Sequence, residues 1–337
     1  MIKILIGGSP CTYWSVAQKK GREVEAEGLG WELFRNYLIA KEKFKPDFFL
    51  YENNKSAAQP IKDQISHELG VDLMHINSAL VSAQNRQRFY AFNWNVDQPA
   101  DRGIMLKDIL ETATSEKGYE LRAPAVGVGC RNRREDDGKL YRRFETSGIE
   151  KANALTTVQT DSMVAEPIRI GTIENSAKKQ SHDSKQYRVY NGEDLPGYEV
   201  VNGEIEIKGK KYPIKLPDGY YVIRKLTPTE CERLQTLPDG YTSAVSATQR
   251  YRGLGNGWTA EVIIHILAGV LKDVPRDEEI VVLSMYDGIG TGRYCLDKMG
   301  FTNVTYYAYE IDKPAMTVAL SNYPDIIQLG DAFDLRR

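Results

Sequence analysis

The stretch Ile2-Lys3-Ile4-Leu5-Ile6-Gly7-Gly8-Ser9-Pro10-Cys11 decides how the rest of the chain is read. Four apolar residues in five read as a buried strand, although periodicity alone does not separate so short a run from buried helix. Gly7, Gly8 and Pro10 then turn the chain sharply out of that strand. In an open α/β sheet, ligands bind beyond the carboxyl ends of the strands. Cys11 is the first residue after the turn that can do covalent chemistry. A lone cysteine is more often a small buried hydrophobe; the case for a reactive thiol rests on the motifs farther along the chain.

The 337 residues are 42% hydrophobic and 27% charged, ordinary for a globular protein and enough for one large domain with a smaller one. A net charge of -2 announces no polyanionic partner, so any nucleic-acid surface must be local. Cys11, Cys130, Cys231 and Cys295 form no C-x-x-C pair and do not cluster with the histidines. Their spacing gives neither a zinc site nor a disulfide framework. No apolar stretch reads as membrane-spanning, and residues 2–6 are too short for a signal-peptide core. A reducing, cytoplasmic compartment is the expectation.

Thr12 to Leu29 is polar and carries Lys19, Lys20 and Arg22, so it is either a solvated loop or a lid over a polyanion. Gly30 to Lys43 has helical spacing, and Phe48-Phe49-Leu50-Tyr51 is a second buried strand. It ends in Glu52-Asn53-Asn54, where the carboxylate is a candidate acid or, more commonly, a solvated turn residue. A helix over 61–69 and a strand over 71–76 precede Ser82-Ala83-Gln84-Asn85-Arg86-Gln87-Arg88 and the strand Phe89-Tyr90-Ala91-Phe92. Arg86 and Arg88 alternate and would share one strand face, with an exposed charged edge as the plain alternative.

From 96 to 222 short β-rich runs and turns replace helical patterns, predicting a separate, mostly β and irregular domain. Arg131, Arg133, Arg134, Arg142, Arg143, Lys178, Lys179, Lys185 and Arg188 are interleaved there with Tyr119, Tyr141, Phe144, Tyr187 and Tyr190. That mixture suits phosphate and base contact, and equally a solvated mixed-charge surface. Thr227-Pro228-Thr229-Glu230 starts a helix that should bury Cys231. Gly253 to Thr259 reads as a tight glycine-rich turn opening an apolar helix over 262–271.

After a polar linker over 272–279, residues 280–286 form a strand, Asp287-Gly288-Ile289-Gly290-Thr291-Gly292 a turn, and the chain to Met299 a helix. The next strand, 304–309, ends in Glu310. This βαβ unit, with an acid about 20 residues beyond the turn, is the general nucleoside-binding pattern. The glycines let the backbone approach a ligand, and the acid accepts from ribose hydroxyls. Arg293 stands where G-x-G-x-x-G has its last glycine, which counts against a dinucleotide.

Together these pieces resemble the cytosine-C5 DNA methyltransferases over nearly the whole chain. The matches are Gly8-Ser9-Pro10-Cys11, Glu52-Asn53, Gln84-x-Arg86-x-Arg88, Arg224-x-Leu226-Thr227-Pro228-x-Glu230, Gly255-Asn256-Gly257, Asp287-Gly288-Ile289-Gly290, Glu310 with Asp312, and Gly330-Asp331. Ala154-Leu155-Thr156-Thr157 is similar to the segment that opens the family's target-recognition core. The family usually has Pro-Pro-Cys and Glu-Asn-Val. The Ser-Pro-Cys form with Asp287-Gly288-Ile289-x-Thr291-Gly292 looks more like phage and bacterial relatives of the animal de novo enzymes. The cofactor motifs come last instead of first, so the order is circularly permuted, which physics tolerates where the new break falls in an exposed connection.

The resemblance implies a doubly wound, Rossmann-like α/β methyltransferase sheet with a smaller, mostly β target-recognition domain. Residues 1–95 and 223–337 would be the two parts of the catalytic domain, and 96–222 the target-recognition domain. It implies Cys11 as nucleophile at C6 of cytosine, Glu52 at N3 and the exocyclic amine, and Arg88 with Arg86 at O2. S-adenosyl-L-methionine would be held by Tyr286, Asp287, Gly288, Gly290, Thr291, Glu310, Ile311, Asp331, Asn256 and Trp258, with Glu310 on the ribose and Asp331 on the adenine amine. Ser9, Pro10, Ser15, Asn53, Gln84, Arg131, Arg133, Thr156 and Thr157 would bind the substrate. The partner is duplex DNA with the target base flipped out. A cognate restriction endonuclease as functional partner, a monomer, no metal, and the cytoplasm of a bacterial or phage-infected cell complete the expectation. The rivals are a tRNA cytosine-C5 methyltransferase, a nicotinamide-dependent oxidoreductase resting on Gly288 and Glu310, and a catalytically silent DNA-binding relative.

Overall fold

In a computed structural model, which describes residues 1–15, 21–111, 125–134, 140–157, 163–168, 187–190, 193–207 and 209–337, the opening apolar run forms strand β1 (Ile2–Gly7). Then follow α1 (Gly28–Phe44), β2 (Phe48–Asn54), α2 (Gln59–Leu69), β3 (Leu73–Asn77), β4 (Gln84–Asn85), β5 (Gln87–Phe92) and a single helical turn α3 (Leu106–Ile109). A β-rich section holds β6 (Val126–Arg134), β7 (Leu140–Ile149), β8 (Ala152–Asn153), β9 (Met163–Ile168), β10 (Tyr187–Tyr190), β11 (Glu193–Val201), β12 (Glu204–Ile207), β13 (Lys210–Pro213) and β14 (Gly219–Lys225). The chain closes with α4 (Pro228–Leu234), α5 (Ala247–Asn256), α6 (Ala260–Leu271), β15 (Ile280–Met285), α7 (Thr291–Lys298), β16 (Val304–Tyr309), α8 (Lys313–Asn322) and β17 (Ile327–Gly330).

Among the described residues the larger sheet has the order β17-β16-β15-β1-β2-β5-β3. β17, β16, β15, β1 and β2 are parallel, and β5 is antiparallel to both its neighbours. β1 therefore sits mid-sheet, with Ile4 opposite Val282 on one side and Phe48 on the other. Successive strand residues point to opposite faces. Ile4, Ile6, Leu50, Val282 and Tyr306 enter a core shared with α6, α7 and α8, while Leu5, Phe49, Tyr51 and Met285 enter a second core under α1 and α2. Helices on both faces are what nearly continuous apolar parallel strands require.

The second sheet is antiparallel, in the order β13-β12-β11-β14-β9-β6-β7 with β10 on β11. Val126, Val128, Ala165, Val200 and Tyr221 build its own core. Leu106, Ile109 and Leu110 pack instead into the core beneath α6. The short pairing of β4 with β8 stitches the two sheets' surroundings together. On β14 Arg224 makes a bidentate pair with buried Glu230, 2.7 Å to each oxygen, and reaches Glu166 of β9 at 3.0 Å. Glu230 is also the third helical residue of α4, where its carboxylate accepts from the Thr227 amide at 2.8 Å in the expected capping box.

One expectation is corrected. Gly253 to Asn256 belongs to α5 and not to a turn, which occupies only 257–259. The glycines serve close approach: a Cβ on Gly255 would lie 2.5 Å from the Thr156 carbonyl. The 12–29 loop is anchored at both ends. Trp14 donates to Glu23 Oε2 at 3.0 Å, and Arg22 donates to the Ser56 carbonyl at 2.6 Å; Lys19 and Lys20 lie outside the described residues. Within Ala247–Leu271 the most apolar 18-residue window has mean hydropathy 1.3, which passes for a membrane span by length and composition, and more than half of that window is buried in the fold, as in a core helix. Tyr119, Lys178, Lys179 and Lys185 also lie outside the described residues.

Candidate active site

Gly7 pairs with Met285, so the turns that follow β1 and β15 leave the sheet side by side at the same level. At the first turn a Cβ on Gly8 would stand 2.7 Å from the Glu52 carbonyl oxygen, so glycine lets the exit of β1 lie against the end of β2. Ser9 is held there by its hydroxyl, 2.7 Å from the Tyr51 hydroxyl, and by its carbonyl, which accepts from Asn53 Nδ2 at 2.9 Å. Burial pushes the Tyr51 phenol well above its ordinary pKa, so it stays a neutral partner.

Pro10 leads into a single helical turn over Cys11–Tyr13, and the Cys11 carbonyl accepts from the Trp14 and Ser15 amides at 3.1 and 3.0 Å. Cys11 is half-buried, whereas Cys130, Cys231 and Cys295 are buried. Burial pushes the Cys231 and Cys295 thiols well up. Of the four thiols, Cys11 is the one with a path to a ligand.

Glu52, 9% exposed, lies two residues before the end of β2, with one carboxylate oxygen ion-paired and the other hydrogen-bonded. Arg88 Nε lies 2.8 Å from Oε1, and Trp258 Nε1 donates to Oε2 at 3.0 Å. Arg86 lies between β4 and β5 and is only 3% exposed. Its guanidinium donates to the carbonyls of Leu155 (3.1 Å), Gly255 (3.1 Å) and Gly257 (2.8 Å). Burial, reinforced by the Arg88 charge, lowers its pKa to about 10, while Glu52 and Cys11 pull the other way. Cys11, Glu52 and Arg88 thus each lie within electrostatic reach of Arg86.

The second turn, after β15, is drawn tight by left-handed residues at Tyr286 (φ 60) and Gly288 (φ 63). Tyr286 anchors it to α1 by donating to the Leu33 carbonyl at 2.7 Å. The Asp287 carboxyl is buried. Its Oδ1 accepts from Ser284 Oγ and the Tyr306 hydroxyl, each at 2.7 Å. Burial pushes its pKa up to about 6, against those two hydrogen bonds and with the Glu310 charge adding. Asp287 Oδ2 and Thr291 Oγ1 are buried with no partner among the described residues.

Glu310 follows β16 directly and accepts from the Gly288 amide on one oxygen and the Ile311 and Asp312 amides on the other, all at 2.8 Å. A carboxylate has about four acceptor positions, so one remains for a ligand hydroxyl. Ile311 beside it is 68% exposed, an apolar surface against which a flat ring can lie. An acceptor, an apolar wall and unpartnered buried polar atoms at a glycine turn together fit a nucleoside-bearing ligand.

The remaining expected residues are distributed unevenly. Gln84 does not reach the cleft: it is fully buried, donating to the Leu234 carbonyl at 2.6 Å and accepting from the Leu155 amide at 3.3 Å. Ser9 and Asn53 are buried in the loop network rather than exposed to a partner, while Pro10 is exposed and Ser15 half-buried. Thr156 is half-buried and Thr157 exposed beside α5. Arg131 and Arg133 lie on β6, with their side chains outside the described residues. Asn256 is exposed at the end of α5. Asp331 is exposed and caps the last helical turn by accepting from the Phe333 amide at 2.9 Å. The sequence reading missed the Trp258–Glu52 contact and the support from Tyr51; neither has a local signal.

A family model for C-5 cytosine-specific DNA methylases matches residues 1–272. The chain is 23% identical over 317 residues to the type II methyltransferase M.Sau3AI of Staphylococcus aureus, covering 78% of this chain and 76% of that protein. It is 25% identical over 276 residues to the type II methyltransferase M.HpaII of Haemophilus parainfluenzae, covering 75% and 67%. It is 28% identical over 280 residues to the type II methyltransferase M.NlaX of Neisseria lactamica, covering 77% and 73%.

Proposed function

The chain belongs to the C-5 cytosine-specific DNA methylases and is a DNA (cytosine-5-)-methyltransferase; from that premise we propose that Cys11, Glu52 and Arg88 carry the reaction, with S-adenosyl-L-methionine bound at the ends of β15 and β16. The observation that carries this reading is the side-by-side exit of the two turns, through the pairing of Gly7 with Met285.

Carbon 5 of cytosine is a poor nucleophile. Attack of the Cys11 thiolate at C6 makes it enamine-like. Glu52 holds N3 and the exocyclic amine, and Arg88 offsets negative charge developing at O2. Arg86, with its guanidinium engaged by three carbonyls, positions the strand that carries Arg88. Bound S-adenosyl-L-methionine supplies an electrophilic methyl group. Glu310 would accept from its ribose, Ile311 would offer the adenine an apolar surface, and Thr291 and the Asp287 turn would hold the remainder. Loss of the C5 proton and departure of Cys11 free the methylated base.

Residues 1–95 and 223–337 form the catalytic domain in this reading, and 96–222 the target-recognition domain, which offsets the few kcal/mol that flipping a base costs. The motif order is circularly permuted. Two facts support this: β1 lies between β15 and β2, and the family match ends at residue 272, before β15 begins. The partner is duplex DNA, with a restriction endonuclease as functional counterpart.

The test is transfer of labelled methyl from S-adenosyl-L-methionine to unmethylated genomic DNA, with Cys11→Ser alongside and the product sequenced for 5-methylcytosine. Incorporation lost in Cys11→Ser is expected. Equal incorporation by the variant refutes the nucleophile, and methylation of tRNA alone refutes the DNA reading.

A further inference from the structure

We propose that Trp258 is a positioning residue for Glu52: its indole N–H fixes the carboxylate in the orientation that meets the cytosine. The proposal rests on the reading of Glu52 given above. The terminal torsion of a glutamate side chain is broad and nearly two-fold, so a single donor leaves the carboxylate free to swing. Here Arg88 takes Oε1 at 2.8 Å and Trp258 Nε1 takes Oε2 at 3.0 Å. An ion pair on one oxygen and a hydrogen bond on the other fix both the position and the plane of the group.

Trp258 is itself rigidly mounted. The preceding carbonyl, of Gly257, accepts from Arg86 Nη2 at 2.8 Å and from Gln235 Nε2 at 3.2 Å. The following residue, Thr259, is buried and donates to Gln235 Oε1 at 2.8 Å. The indole ring packs against the core beneath α6. One helical turn back, a Cβ on Gly253 would lie 2.8 Å from Ile289, so α5 rests directly on the turn after β15. Trp258 therefore joins the packing of the cofactor turn to the orientation of Glu52, across 206 residues of sequence. The family resemblance alone assigns this tryptophan to the cofactor.

Trp258→Phe keeps the ring and removes the N–H. Two quantities separate the roles: S-adenosyl-L-methionine affinity by calorimetry, and the single-turnover rate on unmethylated duplex at saturating cofactor. The expected result is cofactor affinity within about twofold and a rate lowered about 10- to 100-fold, the scale of a misplaced catalytic group. In a Glu52→Gln background the same change should lower the rate less than about twofold further, because Trp258 acts through Glu52. A tenfold loss of cofactor affinity with an intact saturated rate overturns the proposal and makes Trp258 a wall of the cofactor site. Full additivity with Glu52→Gln, or no effect on the rate, also overturns it. A normal rate in Glu52→Gln alone marks instead the failure of the reading of Glu52.

Discussion

Asp287→Asn should change the pH dependence of stability in a calculable way. The carboxyl is buried, Oδ1 accepts two hydroxyls, and Oδ2 has no partner among the described residues. Burial raises its pKa from 3.8 to about 6. At about 1.4 kcal/mol per unit, holding the charged form in the fold costs about 3 kcal/mol. Because the folded pKa is the higher, the folded state binds the proton more tightly than the unfolded chain. The cost is absent below about pH 4, grows as pH rises, and is complete above about pH 7. Asparagine does not titrate and still accepts from Ser284 and Tyr306. The stability of Asp287→Asn minus that of the parent should therefore grow by about 3 kcal/mol across the full range, with about half of it between pH 5 and pH 8. An unpartnered amide N–H in the variant displaces the whole curve without changing its slope. Urea unfolding of both proteins at pH 5, 6, 7 and 8 reads the difference. A difference that does not vary with pH refutes the assignment of a buried, charge-bearing Asp287.

Gly255→Ala should cost about 1–3 kcal/mol, since its Cβ would meet the Thr156 backbone at 2.5 Å and backbone yields little; a thermal melt unchanged from the parent removes that close approach. Arg224→Met leaves Glu230 and Glu166 as buried carboxylates without their cation and should cost about 3–5 kcal/mol. By contrast Arg233→Ala, which breaks a partly exposed pair with Asp239 and a hydrogen bond to the Ile109 carbonyl, should cost about 1–2 kcal/mol. Urea midpoints for the two variants should rank in that order. Glu310→Ala should weaken S-adenosyl-L-methionine binding about 10- to 100-fold, the worth of a hydrogen bond to a charged group, while the rate at saturating cofactor stays close to normal. Unchanged affinity by calorimetry would end the ribose assignment.

Much of this protein was legible in the sequence. The apolar runs gave β1, β15 and β16 to within a residue, and the start of β2, whose polar last three residues, Glu52 to Asn54, extend the strand beyond its apolar run. The Thr227–Glu230 pattern gave the start of α4. Cys11, Asp287 and Glu310 lie beyond the carboxyl ends of β1, β15 and β16, so local turn chemistry marks them, while Glu52 lies within the last residues of β2. Other features were not legible. Arg86 and Arg88 look equivalent in the sequence, yet one is clamped on three carbonyls and the other pairs with Glu52. Gln84 reads as a substrate contact and is a buried tie between Leu155 and Leu234. The glycines of α5 read as a turn because their compensation, the backbone of Thr156, lies far away in the chain. Strand periodicity, caps and turns depend on neighbours within about four residues, so the sequence alone determines them. Which donor reaches which acceptor depends on how distant segments pack, and only the tertiary structure decided that Trp258 meets Glu52.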